Sequence, residues 1–390
     1  MKVAVTILVF CVTSLLALGL VMLYSSTMVM TDRHTHFEVG AHMLQMQVLW
    51  CGLGFLACVA VVALDYQLLK RFAIPIFSLS LGLAGLVFVP HLGVQVNGAH
   101  RWIRLPGATF QPSEIIKITL IIVVAWYADL VQRKMNTLVR GLIIPVVIAG
   151  LGLGLIFVEP DRGTTILLAG VTGTMLVLAG VRWRHLIPLA LLAAGGLAFS
   201  LMHDSMRSGR ISAWLHPEAH ASGAALQAEQ AKIAIGSGGL TGLGLGDGRQ
   251  KLGFLPEIHS DFIFANIGEE LGLVATLSVI LAFLLIAVCG MYIAYRARDA
   301  FGCLVVVGVT SLISYQAIFN ICVVTSVLPN KGLALPFISA GGSSLLAMLI
   351  GVGLILSVAR QVEPVKSSPL DRDAQDRSDD PFNPFAARTT

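Results

Sequence analysis

Charged side chains are scarce in this chain. Only 12% of its 390 residues are Asp, Glu, Lys or Arg, against about 25% in a typical soluble domain. Hydrophobic residues make up 56% of the chain, and its mean hydropathy is +0.83. This composition leaves too little polar surface to cover a soluble globule, so it indicates an integral membrane protein.

The sequence also lacks cysteines in polar loops and a dense patch of basic residues. All six cysteines lie inside apolar runs, which favours packing as small hydrophobic side chains over disulfides or a zinc site. The net charge is only +4, and the basic residues are scattered between the apolar runs. The sequence therefore predicts no nucleic-acid-binding patch.

Long apolar runs dominate the chain instead. Each is close to the roughly 20 residues that a helix needs to cross a bilayer. The runs cover residues 3–24, 43–64, 72–90, 113–131, 141–158, 164–181, 186–202, 262–293, 301–324 and 343–359. They predict an all-α polytopic bundle of about ten transmembrane helices within residues 1–359. The first run has no small-residue cleavage site after it, so we expect a retained helix.

The basic residues of the short connections predict the orientation of the bundle. They fall in alternate connections, on the same side as Lys2: Lys70, Arg71, Arg133, Lys134, Arg140, Arg182, Arg184, Arg296 and Arg298. By the positive-inside rule this side is cytoplasmic, as are both termini. A large extracytoplasmic loop, residues 203–261, then joins helices 7 and 8. Residues 360–390 are rich in Asp, Arg, Ser and Pro, which predicts a disordered cytoplasmic tail.

The outward connections are unusually rich in charge for their side of the membrane. Their basic residues are Arg101, Arg104, Lys117, Arg162, Arg207, Arg210, Lys232, Arg249, Lys251 and Lys331. Several lie near acids, such as Glu114 one helical turn before Lys117, and Asp161 next to Arg162. Charges at the edge of the hydrocarbon usually face a protein interior or a wet cavity, so these residues are candidates for function.

Glycines are concentrated between Gly236 and Gly248, within the polar stretch 234–272. A nucleotide-binding loop would need a preceding strand and a following helix in a soluble unit, and the sequence offers neither. We therefore interpret the run as close packing or a re-entrant turn. Such a segment is tolerated at membrane depth only where it is buried in protein or lines water.

Four segments resemble one known family. They are NGAHRWIRLPGATFQPSEIIK at 97–117, EPDRGTT at 159–165, QAEQAKIAIGSGGLTGLGLGDGRQKLGFLPEIHSDFIFANIGEELG at 227–272 and LPNKGLALPFISAGGSSL at 328–345. Their sequences and order are similar to those of the SEDS family, the FtsW and RodA peptidoglycan glycosyltransferases. The first and last segments are more similar to the FtsW branch than to the RodA branch.

The resemblance implies an enzyme of the bacterial cytoplasmic membrane that polymerises lipid II into glycan strands on the extracytoplasmic face. It implies inverting transfer with release of undecaprenyl diphosphate during septal cell-wall synthesis in cell division. The expected partners are a class B penicillin-binding protein and other division proteins. No metal-binding signature stands out, although a divalent cation, Mg²⁺ or Mn²⁺, can bridge phosphate oxygens in such chemistry.

The resemblance also assigns roles to individual residues, and each has a plainer alternative. Asp261 falls on the acid that serves as the family's catalytic base, whereas its position alone favours a helix cap. We expect Arg101, Lys117, Arg249 and Lys251 to engage diphosphates, with Glu114 and Asp161 orienting them or holding a metal. In the plainer reading Lys117 only pairs with Glu114 across one turn, and Asp161 belongs to a tight turn.

Two other functions are compatible with a polytopic bundle. A lipid II flippase would use similar cationic residues, but it needs polar groups accessible from both membrane faces in turn. A non-catalytic scaffold of the division machinery would leave the acids near the membrane without a purpose.

Overall fold

The computed structural model describes residues 1–28, 36–89, 93–96, 99–105, 108–202, 205–215, 224–252 and 258–362. Helices make up most of these residues. They are α1 Lys2–Met28, α2 His36–Ala63, α3 Tyr66–Arg71, α4 Ala73–Gly85, α5 Pro112–Leu130, α6 Ile144–Val158, α7 Arg162–Leu178, α8 Trp183–Met202, α9 Ser205–Leu215, α10 Ala224–Ser237, α11 Ile263–Tyr295, α12 Ala300–Val324 and α13 Gly342–Arg360. Short 3₁₀ turns cover Leu86–Phe88, Gln132–Lys134 and Gln250–Leu252, and a π-helical turn, Leu138–Ile143, precedes α6.

A helix occupies each of the ten apolar runs found in the sequence. By length and composition, seven helices in the described part of the chain can cross a membrane, which confirms a polytopic membrane protein. Two other helical stretches, Ala73–Phe88 and Arg162–Leu178, are apolar but shorter. The remaining helix, α5, is 19 residues long but carries three charged side chains. The number of spans therefore stays a prediction.

Helices α5 and α12 form the centre of the bundle. Helix α5 packs against α4, α6, α7, α12 and α13, and 15 of its 19 residues are buried. Helix α12 packs against α5, α7, α11 and α13, and it is similarly enclosed. A helix that is apolar on nearly all faces belongs inside a bundle. Polar side chains on these two helices therefore face protein.

Helix α11 is interrupted at Gly272, where φ is 77° and ψ is −170°. The glycine run packs against this break. Leu243 N and Gly244 N donate to the carbonyls of Glu269 and Glu270, while Leu273 N and Val274 N donate to Gly239 and Leu240. The run thus satisfies backbone groups that the break would otherwise leave unpaired. This arrangement confirms the interpretation of the glycine run as close packing.

A three-stranded antiparallel sheet lies between α4 and α5. Its strands are β1 Gly93–Val96, β2 Ala99–Leu105 and β3 Ala108–Phe110, in the order β1-β2-β3. Gly93 pairs with Ile103, which also pairs with Phe110. The expectation of an all-α protein omits this sheet, because its strands are too short to stand out beside the apolar runs. The sheet leads directly into α5 and carries Arg101.

The predicted loop 203–261 contains helices α9 and α10, the glycine run and the turn that precedes α11. Its side of the membrane stays a prediction. Helix α13 ends at Arg360, and the described chain ends at residue 362. The prediction of a disordered tail falls almost entirely on 363–390, which lie outside the described residues.

Candidate active site

Asp261 lies in the turn that precedes α11. The cap position of α11 is held by Phe262, and the Phe262 side chain makes no capping hydrogen bond. The half-buried Asp261 carboxylate instead faces the segment between α12 and α13, where an added Cβ on Gly332 would lie 2.6 Å from Asp261 Oδ2. The structure therefore places this acid against the fourth of the family-like segments, 328–345.

Lys331 precedes this glycine and extends to α7. A Cβ added to Gly163 would lie 2.5 Å from Lys331 Cε and 3.2 Å from Lys331 Nζ, so the lysine passes directly over the first turn of α7. One short segment therefore contacts both Asp261 and the start of α7. The sequence places Lys331 among the outward basic residues but gives no reason to choose it for the site. Its position next to Gly332 becomes informative only once the helices are assembled.

Asp161 caps α7. Its Oδ1 accepts from Thr164 N at 3.2 Å, and its Oδ2 accepts from Thr164 Oγ1 at 2.9 Å. Such a cap satisfies a free amide of the first helical turn and places negative charge at the positive end of the helix dipole. The structure therefore supports a structural role for Asp161, and its role towards substrate stays a prediction.

Arg101 holds the turn between α6 and α7. Its Nε donates to the Glu159 carbonyl at 3.0 Å, and its Nη2 donates to the Pro160 carbonyl at 2.7 Å. Its Nη1 lies 3.9 Å from Asp161 Oδ2. Pro160 has a φ of 29°, an unusual conformation that these bonds help to maintain. The guanidinium keeps partial exposure, with 30% of the side chain accessible.

Glu159 opens the EPDRGTT segment, and sequence reasoning counts it among the charged candidates there without giving it a role of its own. It is fully buried, and its carboxyl group interacts with the Ser113 side chain. Burial, and then the charge of Asp161, raise the pKa of Glu159 to about 8, against a smaller opposing effect of Arg101. At neutral pH this carboxyl is therefore mainly protonated.

Lys117 and Glu114 form a buried ion pair in the first turns of α5. Lys117 Nζ lies 2.7 Å from Glu114 Oε2 and donates to Gln316 Oε1 on α12 at 3.2 Å. Gln316 Nε2 in turn donates to the Ala334 carbonyl at 2.8 Å. The expected pairing across one turn is confirmed. These contacts use two of the three donors of the ammonium group and connect it to the segment that contacts Asp261.

Arg249 and Lys251 lie beside two buried acids of α11, Glu269 and Glu270. Arg249 N donates to Glu269 Oε1 at 2.7 Å, and the Arg249 side chain is exposed. Lys251 Nζ lies 2.8 Å from Glu270 Oε1 and donates to Ser25 Oγ at 3.3 Å. The Lys251 side chain is only 1% exposed. These contacts fasten the glycine run to α1 and α11, and a role of the two basic residues towards diphosphate stays a prediction.

The site as a whole lies at one end of the bundle, where α5, α7, α11 and α13 begin and α6 and α12 end. Asp261 and the cationic side chains of Arg101, Lys117 and Lys331 all lie at this end. Within the described ranges, no group of three or more His, Cys, Asp or Glu side chains is arranged to hold a metal ion.

These features define a polytopic helical membrane protein with an acid-and-cation site at one end of its bundle. Residues 6–363 match the family model FTSW_RODA_SPOVE, described as "Cell cycle protein". The chain belongs to the FtsW/RodA/SpoVE family.

Similar proteins extend over nearly the whole chain. The "Probable peptidoglycan glycosyltransferase FtsW" of Trichlorobacter lovleyi is 40% identical over 353 residues, covering 90% of this chain and 92% of that protein. The "Stage V sporulation protein E" of Bacillus subtilis is 34% identical over 354 residues, covering 91% of this chain and 96% of that protein. Relatives named FtsW thus reach higher identity than this SpoVE.

Solved structures share the fold. One, described as "Structural coordination of polymerization and crosslinking by a peptidoglycan synthase complex", has a TM-score of 0.76 and 27% identity, and the match covers 90% of this chain and 96% of that chain. The rod shape determining protein RodA of Thermus thermophilus has a TM-score of 0.66 and 26% identity, and the match covers 92% and 97% of the two chains.

Proposed function

We propose that this protein is a peptidoglycan glycosyltransferase that polymerises lipid II into glycan strands during septal cell-wall synthesis. The observation that carries the proposal is the contact of the Asp261 carboxylate with Gly332, next to Lys331, at the end of the bundle that also holds Arg101 and Lys117. The names of the FtsW relatives support the same activity. The FtsW names of these relatives also favour the septal role over rod elongation.

The active site faces the outside of the bacterial cytoplasmic membrane. Ten helices span this membrane, both termini are cytoplasmic, and the loop 203–261 is extracytoplasmic. The support is the distribution of basic residues, because the connections at the opposite end of the bundle from Asp261 hold Lys70, Arg71, Arg133 and Lys134. Lipid II presents its sugars on the outer face, where the site would meet them.

In the reaction Asp261 acts as general base. It takes the proton from an acceptor sugar hydroxyl while the hydroxyl oxygen bonds to the anomeric carbon of a second lipid-linked sugar. The bond from that carbon to the diphosphate breaks, and undecaprenyl diphosphate leaves with the electron pair. Direct displacement inverts the anomeric centre, so no second carboxylate is needed as a nucleophile.

Cationic side chains stabilise the departing diphosphate. Arg101 and Lys331 are best placed, because the first is partly exposed and the second lies between Asp261 and the start of α7. Lys117 reaches the same region through its third donor, with Glu114 orienting its ammonium group. Arg249 and Lys251, which lie beside Glu269 and Glu270 of α11, complete the set of basic residues that engage diphosphates. A divalent cation would add charge neutralisation between the diphosphate and these acids.

The partner of this polymerase is a class B penicillin-binding protein, which cross-links the new strand, together with other division proteins. The support is the fold match to a structure described as coordinating polymerization and crosslinking. Lipid II and the growing strand are its ligands.

The test is polymerisation of lipid II by purified full-length protein with its cross-linking partner. Asp261→Asn should bind lipid II and make no glycan. Asp129→Asn is the matched control, because Asp129 only pairs with Lys70 at 2.6 Å and lies about 18 Å from Lys117 along the same helix. Normal polymer from Asp261→Asn would refute the assignment. Lipid II translocation in liposomes without polymer would favour a flippase, and neither activity would favour a scaffold.

A further inference from the structure

Asn320, in the last turns of α12, joins two segments of the site. Its Nδ2 donates to the Asp261 carbonyl at 2.8 Å and to the Leu333 carbonyl at 2.6 Å. One amide group thus connects the residue proposed as base to the segment that carries Lys331 and Gly332. The side chain is only 1% exposed, so both bonds lie inside the protein, where they are shielded from water.

The carbonyls of three successive residues in the turn before α11 are all bound by donors from α12 or the segment that follows it. His259 O accepts from Ala340 N at 3.0 Å, and Ser260 O accepts from Ser339 Oγ at 2.5 Å. Asn320 binds the third carbonyl, that of Asp261 itself. The Asn320 amide that donates to this third carbonyl also donates to the carbonyl of Leu333, the residue after Gly332. It therefore sets the spacing between the carboxylate and its neighbours.

Helix α12 provides a second amide on the same face. Gln316 precedes Asn320 by four residues, a spacing that places both side chains above one another on a helix. Its Nε2 binds the Ala334 carbonyl, adjacent to the Leu333 carbonyl bound by Asn320. The two amides therefore attach the same short segment to the rigid centre of the bundle. Gln316 does so from the side of Lys117 and Asn320 from the side of Asp261.

The oxygen of Asn320 argues against a role in packing alone. Asn320 Oδ1 is buried, and no described residue gives it a hydrogen bond. A buried unsatisfied oxygen costs about 1–3 kcal/mol, so an apolar side chain of similar size would serve packing better. An amide at position 320 is explained by its Nδ2 group, which donates hydrogen bonds to two carbonyls at once.

We propose that Asn320 is a positioning residue that holds the Asp261 carboxylate at its working distance from Lys331 and Gly332. This inference rests on the proposed function, because it assigns Asn320 to the geometry of the same reaction. Asn320 acts through the backbone of Asp261 and does not touch the reacting atoms. Its loss should therefore lower turnover and leave substrate binding nearly unchanged.

The experiment compares Asn320→Leu with Ser357→Ala in full-length protein together with its cross-linking partner. Ser357 is a matched control, because it also donates one buried side-chain bond to a carbonyl, that of Leu64 at 2.9 Å, far from the site. Both variants are first compared by melting temperature. Lipid II polymerisation then gives kcat and KM for each, and binding of lipid II is measured separately.

We expect Asn320→Leu to lower kcat by about 10- to 100-fold, the range that a misplaced catalytic group can cost, with KM and binding close to those of Ser357→Ala. Asn320→Gln keeps the amide donor and should be faster than Asn320→Leu. Equal kcat for Asn320→Leu and Ser357→Ala would overturn the inference, as would equal rates for the Leu and Gln variants. Failure of the wild-type protein to make glycan would instead overturn the proposed function.

Discussion

Gly332→Ala should separate the position of the Asp261 carboxylate from its chemistry. The new Cβ would lie 2.6 Å from Asp261 Oδ2, whereas an ordinary carbon–oxygen contact is about 3.3 Å or longer. The carboxylate must therefore move by about 0.7 Å. A misplacement of about 1 Å can cost about 100-fold in rate, so we expect kcat for lipid II polymerisation to fall by about 10- to 100-fold.

Gly341→Ala is the matched control in the same segment. A Cβ there meets only Ser344 Cβ at 3.7 Å, an ordinary contact. Its φ of 171° is extended backbone, which alanine also adopts. Both variants should fold, as judged by melting temperature and by complex formation with the cross-linking partner. If Gly332→Ala polymerised lipid II as fast as Gly341→Ala, the placement of Asp261 against Gly332 would be wrong.

Three further predictions concern stability, measured as the melting temperature in detergent. Burial raises the pKa of Glu159 from 4.5 to about 8, so the folded state favours the protonated acid. The stability of the wild-type protein should therefore fall by at most about 5 kcal/mol as the pH rises through this interval. Glu159→Gln should remove this fall. An unchanged pH dependence in Glu159→Gln would contradict the raised pKa of this buried carboxyl. Lys251→Met leaves the fully buried Glu270 without its cation and should lower the free energy of unfolding by about 3–5 kcal/mol. Adding Glu270→Gln should recover part of this loss. No recovery in the double variant would contradict the ion pair between Lys251 and Glu270. Gly242→Ala should destabilise the protein, because the φ of Gly242 is 83° and an added Cβ would collide with the Glu270 carbonyl. Gly236→Ala should be tolerated, because a Cβ there meets nothing within 4 Å. Equal melting temperatures for the two variants would refute this packing of the glycine run.

The helices of the bundle could be predicted from sequence because an apolar run long enough to cross a bilayer has few other stable forms. The break inside α11 was not predictable. It lies at Gly272, just after the buried acids Glu269 and Glu270, and it depends on hydrogen bonds from the distant glycine run. The strands before α5 carry only a weak pattern, since they are three to seven residues long.

The candidate site was predictable in its residue types but not in its contacts. Asp261 and Lys117 stand out because a charged side chain at the edge of the hydrocarbon is energetically costly and is therefore a candidate for function. Lys331 and Asn320 do not, since a lysine in a loop and an asparagine in an apolar helix each have several plain explanations. Their importance depends on which segments the fold brings together, and contacts between residues 59 positions apart, such as Asn320 with Asp261, leave no local pattern.

Sequence reasoning also grouped Lys251 with the substrate-binding cations, because its ion pair with Glu270 is not visible in the order of residues. The two side chains lie 19 positions apart, and Ser25 joins them from the first helix. A basic residue between two glycine-rich turns is equally compatible with a bound diphosphate and with a buried partner. The folded arrangement shows the buried partner, and binding of a diphosphate by Lys251 stays a prediction.

The most direct test of the central claim is single-turnover polymerisation by Asp261→Asn with lipid II already bound. Asparagine keeps the shape of the side chain but cannot accept the hydroxyl proton, and general-base catalysis contributes about 100- to 10,000-fold. The account predicts a loss of glycosidic bond formation of about this size, while lipid II binds as tightly as it does to the wild-type protein. Glycan formation at the wild-type rate by the fully bound variant would contradict it.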